Sequence, residues 1–174
     1  VDCITLAGNG EPTLHPDLED VILGVKALRD RYFPRAKVGI LSDGTQAHRP
    51  KVFRALTLLD ARYMKLDAGD EKTWRLIDKP LGDADWPRLL ATLKQLPNIV
   101  LQSMFIQGTY DNTQYEHLNS WIDVVASIKP LSVQVYTVDR APADSGVTKV
   151  PLERLEAIAA LLTQRTGIPA EAYD

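Results

Sequence analysis

Short apolar runs alternate along this chain with longer segments whose apolar residues recur every three or four positions. The first pattern is typical of strands in a buried sheet, and the second of helices that pack one face against it. A repeating order of strand and helix favours βα units with a largely parallel sheet. The predicted strands are 2–7, 37–42, 62–67, 99–106 and 131–138.

The predicted helices fill the intervals between these strands. In the first of them, Leu18, Val21, Ile22, Val25 and Leu28 share one face. Five strands in one repeating pattern indicate a curved or partial barrel, because a complete eightfold barrel needs about 250 residues. The fold class is therefore α/β, and the predicted helices are 17–31, 50–58, 71–77, 86–95, 112–127 and 151–166.

Composition narrows the functional classes. The chain has 174 residues with 45% apolar content, which suits one domain, 1–174, with a single core. A net charge of -3 does not support nucleic-acid binding by bulk electrostatics, although a local basic patch stays open. No apolar run approaches the roughly 20 residues needed to span a bilayer, so no membrane partner is expected. The first residues show no signal peptide, and we expect a cytoplasmic protein.

Both ends of the chain resemble interrupted elements. Val1 and Asp2 lie at the very start of a predicted strand, and residues 168–174 resemble the start of another extended segment. We expect a chain truncated at its N-terminus and also at its C-terminus. A first strand left without its neighbour is a template for association, so self-association through this edge is expected.

The most informative segment is the loop Gly8-Asn9-Gly10-Glu11-Pro12-Thr13, which follows the first predicted strand. Glycine tolerates positive φ and the close approach of a ligand, and loops at the carboxyl ends of strands bind ligands in α/β proteins. The Glu11 carboxylate, solvated in the free protein, can pair with an α-ammonium group. The alternative is that Glu11 begins a turn and caps the following helix.

Polar residues also follow the second and third strands. The loop Ser42-Asp43-Gly44-Thr45 can wrap a polar ligand, or it is an ordinary turn in which Asp43 adopts the left-handed conformation. Lys65 and Asp67 lie on the same side of the third strand, where they pair with each other or flank a polar centre.

The later strands carry candidates for a substrate cavity. Gln102 and Ser103 interrupt the apolar fourth strand and are predicted to face such a cavity, while the alternative for this region, which ends at Gly108, is a plain strand exit. Arg140 follows the fifth strand and contacts the ligand or anchors its loop. Two acidic residues, Asp17 and Asp70, are predicted helix N-caps.

These segments together resemble the radical S-adenosylmethionine (SAM) superfamily. Residues 8–13, with Leu14-His15-Pro16 after them, resemble that family's strand-two loop, and residues 42–45, 65–70 and 133–142 resemble its later strand ends. The resemblance covers nearly the whole chain. It implies a partial (β/α)6-type TIM barrel with parallel strands, whose first βα unit is missing here.

The resemblance also implies a function for the complete protein. A reduced [4Fe–4S] cluster would cleave SAM to a 5′-deoxyadenosyl radical, which abstracts hydrogen from an unknown substrate. Asp43 stands where the family has Asn; an Asp can accept from ribose hydroxyls, but its negative charge would repel a carboxylate. The implied contacts to SAM are Gly8, Asn9, Gly10, Glu11, Ser42, Asp43, Lys65, Asp67 and Tyr136, and the implied substrate cavity is Gln102, Ser103 and Arg140.

The cluster cannot be assigned to residues of this chain. The family's three cluster cysteines lie in the loop after the missing strand, whereas this chain has only Cys3. Its three histidines are scattered and lack ligand spacing. We therefore expect no metal site, no cluster and no SAM cleavage in this chain alone.

Two other functions remain open at the level of the sequence. The barrel could be a binding or scaffold module without chemistry. It could also be a cofactor-free, aldolase-like enzyme in which a desolvated Lys65 forms a Schiff base.

Overall fold

The computed structural model describes residues 1–139 and 144–174. These residues group into two compact units, the first comprising Val1–Lys65 with Asp83–Ile99 and the second Leu66–Gly82 with Val100–Asp174. The strands are β1 Cys3–Leu6, β2 Lys37–Ser42, β3 Ala61–Lys65, β4 Ile99–Met104, β5 Ile106–Gly108, β6 Ser132–Tyr136, β7 Val147–Lys149 and β8 Ala170–Ala172. The helices are α1 Leu18–Tyr32, α2 Pro50–Thr57, α3 Glu71–Ile77, α4 Trp86–Leu93, α5 Tyr115–Ile128 and α6 Leu152–Thr166, and a 3₁₀ turn covers Pro12–Leu14.

In the first unit, β1, β2 and β3 form parallel pairs with β2 in the middle. Val38 and Ile40 of β2 are fully buried, as expected for a parallel strand covered on both faces. The outer edge of β1 pairs with no described strand. The predicted apolar face of α1 is only partly buried, because Val21 and Leu28 are exposed while Leu18 and Ile22 are covered.

A buried arginine closes the end of α2 in the same unit. The Arg62 guanidinium donates to the carbonyl oxygens of Leu56, Thr57, Leu59 and Pro97, at 2.5–3.1 Å. Burial lowers the pKa of Arg62. The side chain therefore supplies donors to the carbonyls of Leu56 and Thr57 at the end of α2 and to two carbonyls outside the helix.

Asp60 joins the start of β2 to α1. Its Oδ2 accepts from the Val38 amide and from the Arg29 guanidinium, both at 2.8 Å. Burial pushes the pKa of Asp60 upward, but these two hydrogen bonds and the nearby cations outweigh that effect. The pKa of Asp60 therefore lies below its ordinary value of 3.8.

In the second unit, β4, β6 and β8 form parallel pairs, and β5 pairs antiparallel with β7. Side chains alternate between a buried face, with Leu101 and Val133, and a half-exposed face, with Gln102 and Gln134. The core includes an edge-to-face contact between Phe105 and Trp121, with ring centroids 5.1 Å apart.

The alternation of parallel strands and helices confirms the predicted α/β class. One predicted strand, 99–106, is wrong as a continuous element, because β4 ends at Met104 and the chain from Ile106 onward pairs antiparallel with β7 instead. Asp70 caps α3 as predicted, accepting from the Thr73 amide at 2.9 Å. Asp17 precedes α1, but its side chain makes no capping hydrogen bond.

Among the described residues, no helix combines the length and the apolar character that crossing a membrane requires. Arg140 lies outside the described residues, and its predicted role stays a prediction.

Candidate functional site

The Glu11 carboxylate links two loops of the first unit. Its Oε1 accepts from the amide and hydroxyl of Thr13 and, at 2.8 Å, from the Ser42 hydroxyl. Its Oε2 accepts from the Asp43 amide at 2.8 Å. The expectation of a solvated carboxylate is therefore wrong, since Glu11 caps the 3₁₀ turn and holds the loop after β2 in place. Whether it also contacts a ligand stays a prediction.

The two glycines of this loop are not explained by backbone conformation. Neither Gly8 nor Gly10 has positive φ. A Cβ on Gly10 would meet no atom within 4 Å, and one on Gly8 would meet only backbone atoms of Gly10, at 3.8 and 3.9 Å. The expected role in a left-handed turn is wrong here, whereas the other expected role, room for a ligand at the main chain, fits this open space.

A cavity of about 540 Å³ borders the loop. Gly8, Gly10 and Glu11 line one part of it, and Leu14 and Leu18 line another. This volume lies within the range of about 300–1,000 Å³ that is usual for small-molecule sites. Asn9 is exposed next to the cavity-lining glycines.

His15 also lines this cavity, but its Nδ1 accepts from the Asp17 amide at 3.1 Å. That hydrogen bond places the imidazole at the entrance of α1. His15 therefore has a structural role at the entrance of α1, directly before Asp17.

The loop after β2 is a tight turn built on two side chains. Asp43 Oδ1 accepts from the amide and the hydroxyl of Thr45, both at 2.8 Å, and the Ser42 hydroxyl accepts from the Gly44 amide at 3.0 Å. The residue with positive φ is Gly44, at 76°, so the alternative in which Asp43 adopts this conformation is wrong. A side chain at Gly44 would also meet Leu89 at 2.9 Å.

Lys65 belongs to the first compact unit and Asp67 to the second. Lys65 ends β3 and is half-buried. Asp67 is 1% exposed, and its Oδ1 accepts from the Met104 amide at 2.8 Å, which fixes the end of β4. Their predicted contacts to SAM stay predictions.

Ser103 does not face a cavity with Gln102, contrary to the prediction. Neighbouring residues of a strand point to opposite faces. Ser103 is fully buried, donates to the Leu66 carbonyl oxygen at 2.6 Å and accepts from Trp121 Nε1 at 3.1 Å. Side chains alternate along β4, so Ser103 faces the core and has a structural role.

Gln102 lies on the accessible face of β4. Its amide donates to Gln134 Oε1 at 2.8 Å, and both side chains line a cavity of about 350 Å³. Tyr136 and Asp139 line the same cavity. The structure therefore brings together Gln102, predicted to contact substrate, and Tyr136, predicted to contact SAM.

Asn112 is a buried residue whose importance the sequence analysis missed. Its Oδ1 accepts from the Ile106 amide at 2.8 Å, and its Nδ2 donates to the carbonyl oxygens of Asp67 and Met104. The sequence signal for this role was the run of three polar residues 111–113, which lies between a short strand and a helix with periodic apolar residues. It marks a turn before α5, which begins at Tyr115 and not at the predicted 112.

Asp111 stabilises the same turn. Burial pushes the pKa of Asp111 upward, but hydrogen bonds from Thr113 and Gln114 and the charge of Arg154 outweigh burial, so the pKa lies below its ordinary value. The carboxylate is therefore held in its charged form by the donors around it.

Cys3 lies half-buried in β1, where its Sγ accepts from the Thr5 hydroxyl at 3.5 Å. Burial and the neighbouring Cys3 raise the pKa of Tyr63 on β3. Within the part of the chain that the structure describes, no three His, Cys, Asp or Glu side chains are grouped to hold a metal ion.

No protein-family model matches the chain. Curated relatives do match it in sequence. The UPF0026 protein of Helicobacter pylori strain J99 is 31% identical over 145 residues, which are 80% of this chain and 45% of that protein. A protein named GTPase Obg from Brachyspira hyodysenteriae is 29% identical over 161 residues, which are 90% of this chain and 23% of that protein. The chain thus spans less than half the length of these two relatives.

Solved structures match nearly the whole length of the chain. A domain of the pyruvate-formate lyase-activating enzyme from Bacteroides vulgatus has a TM-score of 0.73 and 15% identity, with 100% of both chains covered. SuiB from Streptococcus suis, bound to S-adenosylmethionine, has a TM-score of 0.72 and 16% identity over 99% of this chain and 39% of SuiB. A radical SAM methyltransferase from Sphaerobacter thermophilus has a TM-score of 0.71 and 14% identity, over 99% of this chain and 51% of the methyltransferase.

Proposed function

We propose that this chain, which has the partial-barrel α/β fold of the radical SAM enzymes, binds S-adenosylmethionine at the loops after β1 and β2. The observation that carries the proposal is the bare main chain at Gly8 and Gly10. Neither backbone conformation nor packing requires a glycine at these positions, yet both border the cavity of about 540 Å³.

The donor and acceptor groups of the first unit fit the methionyl end of this cofactor. An α-ammonium group needs several acceptors, and carbonyl oxygens of the glycine loop supply them. Glu11 Oε2 accepts one hydrogen bond, from the Asp43 amide, and a carboxylate oxygen can accept a second. Glu11 therefore contributes to the fold and retains one lone pair for a ligand.

Asp43 fits a ribose hydroxyl better than a carboxylate. Its Oδ1 is occupied by Thr45, whereas its Oδ2 accepts no hydrogen bond from a described residue. A hydroxyl group can donate to this oxygen, but a carboxylate would be repelled by its charge. We therefore assign Asp43 to the ribose in this proposal.

The residues of this chain do not fit a [4Fe–4S] cluster. Such a cluster takes its protein ligands mainly from cysteine thiolates, and the sequence contains one cysteine, on β1. In radical SAM enzymes, bound SAM is the source of the 5′-deoxyadenosyl radical. The part that we assign to this chain is to bind and orient the cofactor.

We further propose that the cavity of the second unit, lined by Gln102, Gln134 and Tyr136, binds a polar part of the substrate. Two amides and a phenol provide both donors and acceptors, and the Asp139 carboxylate that also lines the cavity adds a negative charge. The whole protein would then perform radical chemistry on a substrate whose class is not specified by these residues.

The substitution Gly10→Ala tests the cofactor site. The new methyl group meets no protein atom within 4 Å, so the fold should be unchanged or more stable by about 0.4–1 kcal/mol. The same methyl group would occupy space beside the main chain where the cofactor is proposed to bind. We expect a titration of SAM, followed by amide chemical shifts of residues 8–11, to saturate with the unmodified chain and to weaken strongly with the variant.

Gly24→Ala is the matched control. Gly24 lies in α1, has no positive φ, and its added Cβ would also meet nothing within 4 Å. This variant should bind SAM like the unmodified chain. If Gly10→Ala binds SAM equally well, or if the unmodified chain shows no saturable shifts, these loops do not form the site.

A further inference from the structure

A second cavity of the first unit lies between two helix faces, separate from the glycine loop. Its volume is about 450 Å³. Pro50, Phe53 and Arg54 line it from α2, and their spacing of three and four residues places them on one helical face. Arg88 and Thr92 line it from α4 with the same spacing. We call this cavity the α2–α4 cleft.

The α2–α4 cleft is electropositive although the chain is acidic. Its lining includes two arginines and His48 but no carboxylate. Residues 44–59 contain three Lys or Arg residues and no Asp or Glu. Residues 86–99 contain two Lys or Arg residues and likewise no Asp or Glu. Because the net charge is -3, the rest of the chain is strongly acidic, and positive charge is concentrated beside this cleft.

The two guanidinium groups are available to a ligand. Arg54 is exposed, and its guanidinium makes no hydrogen bond or ion pair with a described residue. Arg88 donates through one Nη to the Asp83 carbonyl oxygen at 2.7 Å, which orients the group while leaving other N–H donors open. The Asp83 carboxylate, 3.9 Å from the same Nη, is 86% exposed and weakens this charge only slightly.

Other groups at the cleft complete an anion site. The His48 ring is oriented by a contact of 3.0 Å between its Nδ1 and the Thr45 carbonyl oxygen. The first turn of α2 has no side-chain cap, so its amides add partial positive charge near Pro50. Phe53 is half-buried and offers an apolar surface beside the arginines.

We propose that the α2–α4 cleft binds the phosphate group of a phosphorylated ligand, between Arg54 and Arg88, with the organic part of the ligand against Phe53. Arginine donates two parallel hydrogen bonds to phosphate oxygens, and two arginines on facing helices match a tetrahedral anion. This site is independent of the proposed SAM site, since the two cavities share no lining residue.

The phosphate can belong to a free nucleotide or to a nucleic-acid strand, and the experiment separates these sources. The chain is titrated at low salt with inorganic pyrophosphate, with AMP and with a single-stranded RNA decamer, and binding is followed by amide chemical shifts. We expect shifts at residues 48–54 and 88–95. Arg54→Gln and Arg88→Gln should each raise the Kd about tenfold or more, because each removes hydrogen bonds between charged groups.

Arg31→Gln is the matched control, since Arg31 is exposed on α1 and does not line the cleft. It should leave the Kd unchanged, and melting curves confirm that all three variants are folded. Binding of AMP or pyrophosphate supports a small phosphorylated ligand. Binding of the decamer alone supports a nucleic-acid strand as the ligand. In that case the slope of log K against log salt concentration should decrease by about one for each arginine removed.

Either of two results would overturn the proposal. The first is that none of the three probes binds at low salt. The second is that Arg31→Gln weakens binding as much as Arg54→Gln, because the attraction would then be a nonspecific effect of charge.

Discussion

Replacing Glu11 by Gln measures how far this carboxylate holds the first unit together. In the structure its two oxygens accept hydrogen bonds from Thr13, Ser42 and Asp43. Two of these residues lie 31 and 32 positions away along the chain. The substitution preserves the size of the side chain, but it replaces one acceptor oxygen by an NH₂ donor.

The loss can be estimated from the hydrogen bonds. If the amide oxygen takes the place of Oε1, it still accepts from Thr13 and Ser42, and only the hydrogen bond to the Asp43 amide is lost. A hydrogen bond to a charged group contributes about 1.5–3 kcal/mol. The free energy of unfolding should fall by that amount, and a chain of this length would melt about 3–12 °C earlier.

Urea unfolding and a melting curve of the chain without ligand measure the effect. Glu71→Gln is the matched control, because Glu71 is paired with Arg75 at the surface, four residues along α3. An exposed pair of this type contributes about 0.3–0.5 kcal/mol. The control should therefore melt close to the unmodified chain.

A Glu11→Gln variant that unfolds within about 0.5 kcal/mol of the unmodified chain would refute this reasoning. It would mean that the carboxylate is solvated and that the loops after β1 and β2 are not joined by it. A double variant with Ser42→Ala adds a second check, because residues in direct contact should give non-additive losses.

Three further predictions concern packing, acid stability and association. Gly69→Ala should lower the free energy of unfolding by about 1–3 kcal/mol or more in urea, because the new Cβ would lie 2.1 Å from the backbone of Ser120. The folded-state pKa of Asp60 lies below 3.8, so its stabilisation is present above that pH and is lost as the pH falls through the lower folded value. The stability difference between Asp60→Asn and the unmodified chain should accordingly shrink on acidification. The chain should also self-associate through the outer edge of β1, as measured by light scattering.

Each of these predictions has an outcome that contradicts it. Gly24→Ala is the control for the first, and equal stabilities of the two alanine variants would count against the crowding at Gly69. A stability difference at Asp60 that is independent of pH would show that its charge is irrelevant. A monomeric mass at high protein concentration would argue against association through the strand edge.

Periodic signals explain why most elements were predictable. The bounds of β2 and α3 agree with the sequence prediction to the residue, because each has a clear apolar pattern and α3 has an acidic cap at Asp70. The three-residue strands β5, β7 and β8 are too short to show a period and depend on partners far along the chain.

The candidate site was predictable as loops but not as contacts. The sequence places Glu11 after the first strand and Ser42 at the end of the second, but the hydrogen bond between them arises only when β1 and β2 pair. Gly69 needs its missing side chain because α5 lies against it, which no local pattern reveals. Ser103 is different, since the alternation of β4 was legible in the sequence and separates it from Gln102.

Arg62 gives the first unit a set of contacts whose hydrogen bonds do not depend on the ionisation of a carboxylate. Its charge is balanced by carbonyl dipoles and has no carboxylate among its hydrogen-bond acceptors, and an arginine stays protonated throughout the pH range of protein folding. When acid neutralises Asp60, the start of β2 loses its anchor while the end of α2 keeps its own. An acid-expanded state of this protein should therefore retain α2 and β3 as its most protected hydrogen-exchange segment, with the region around β1 opening first.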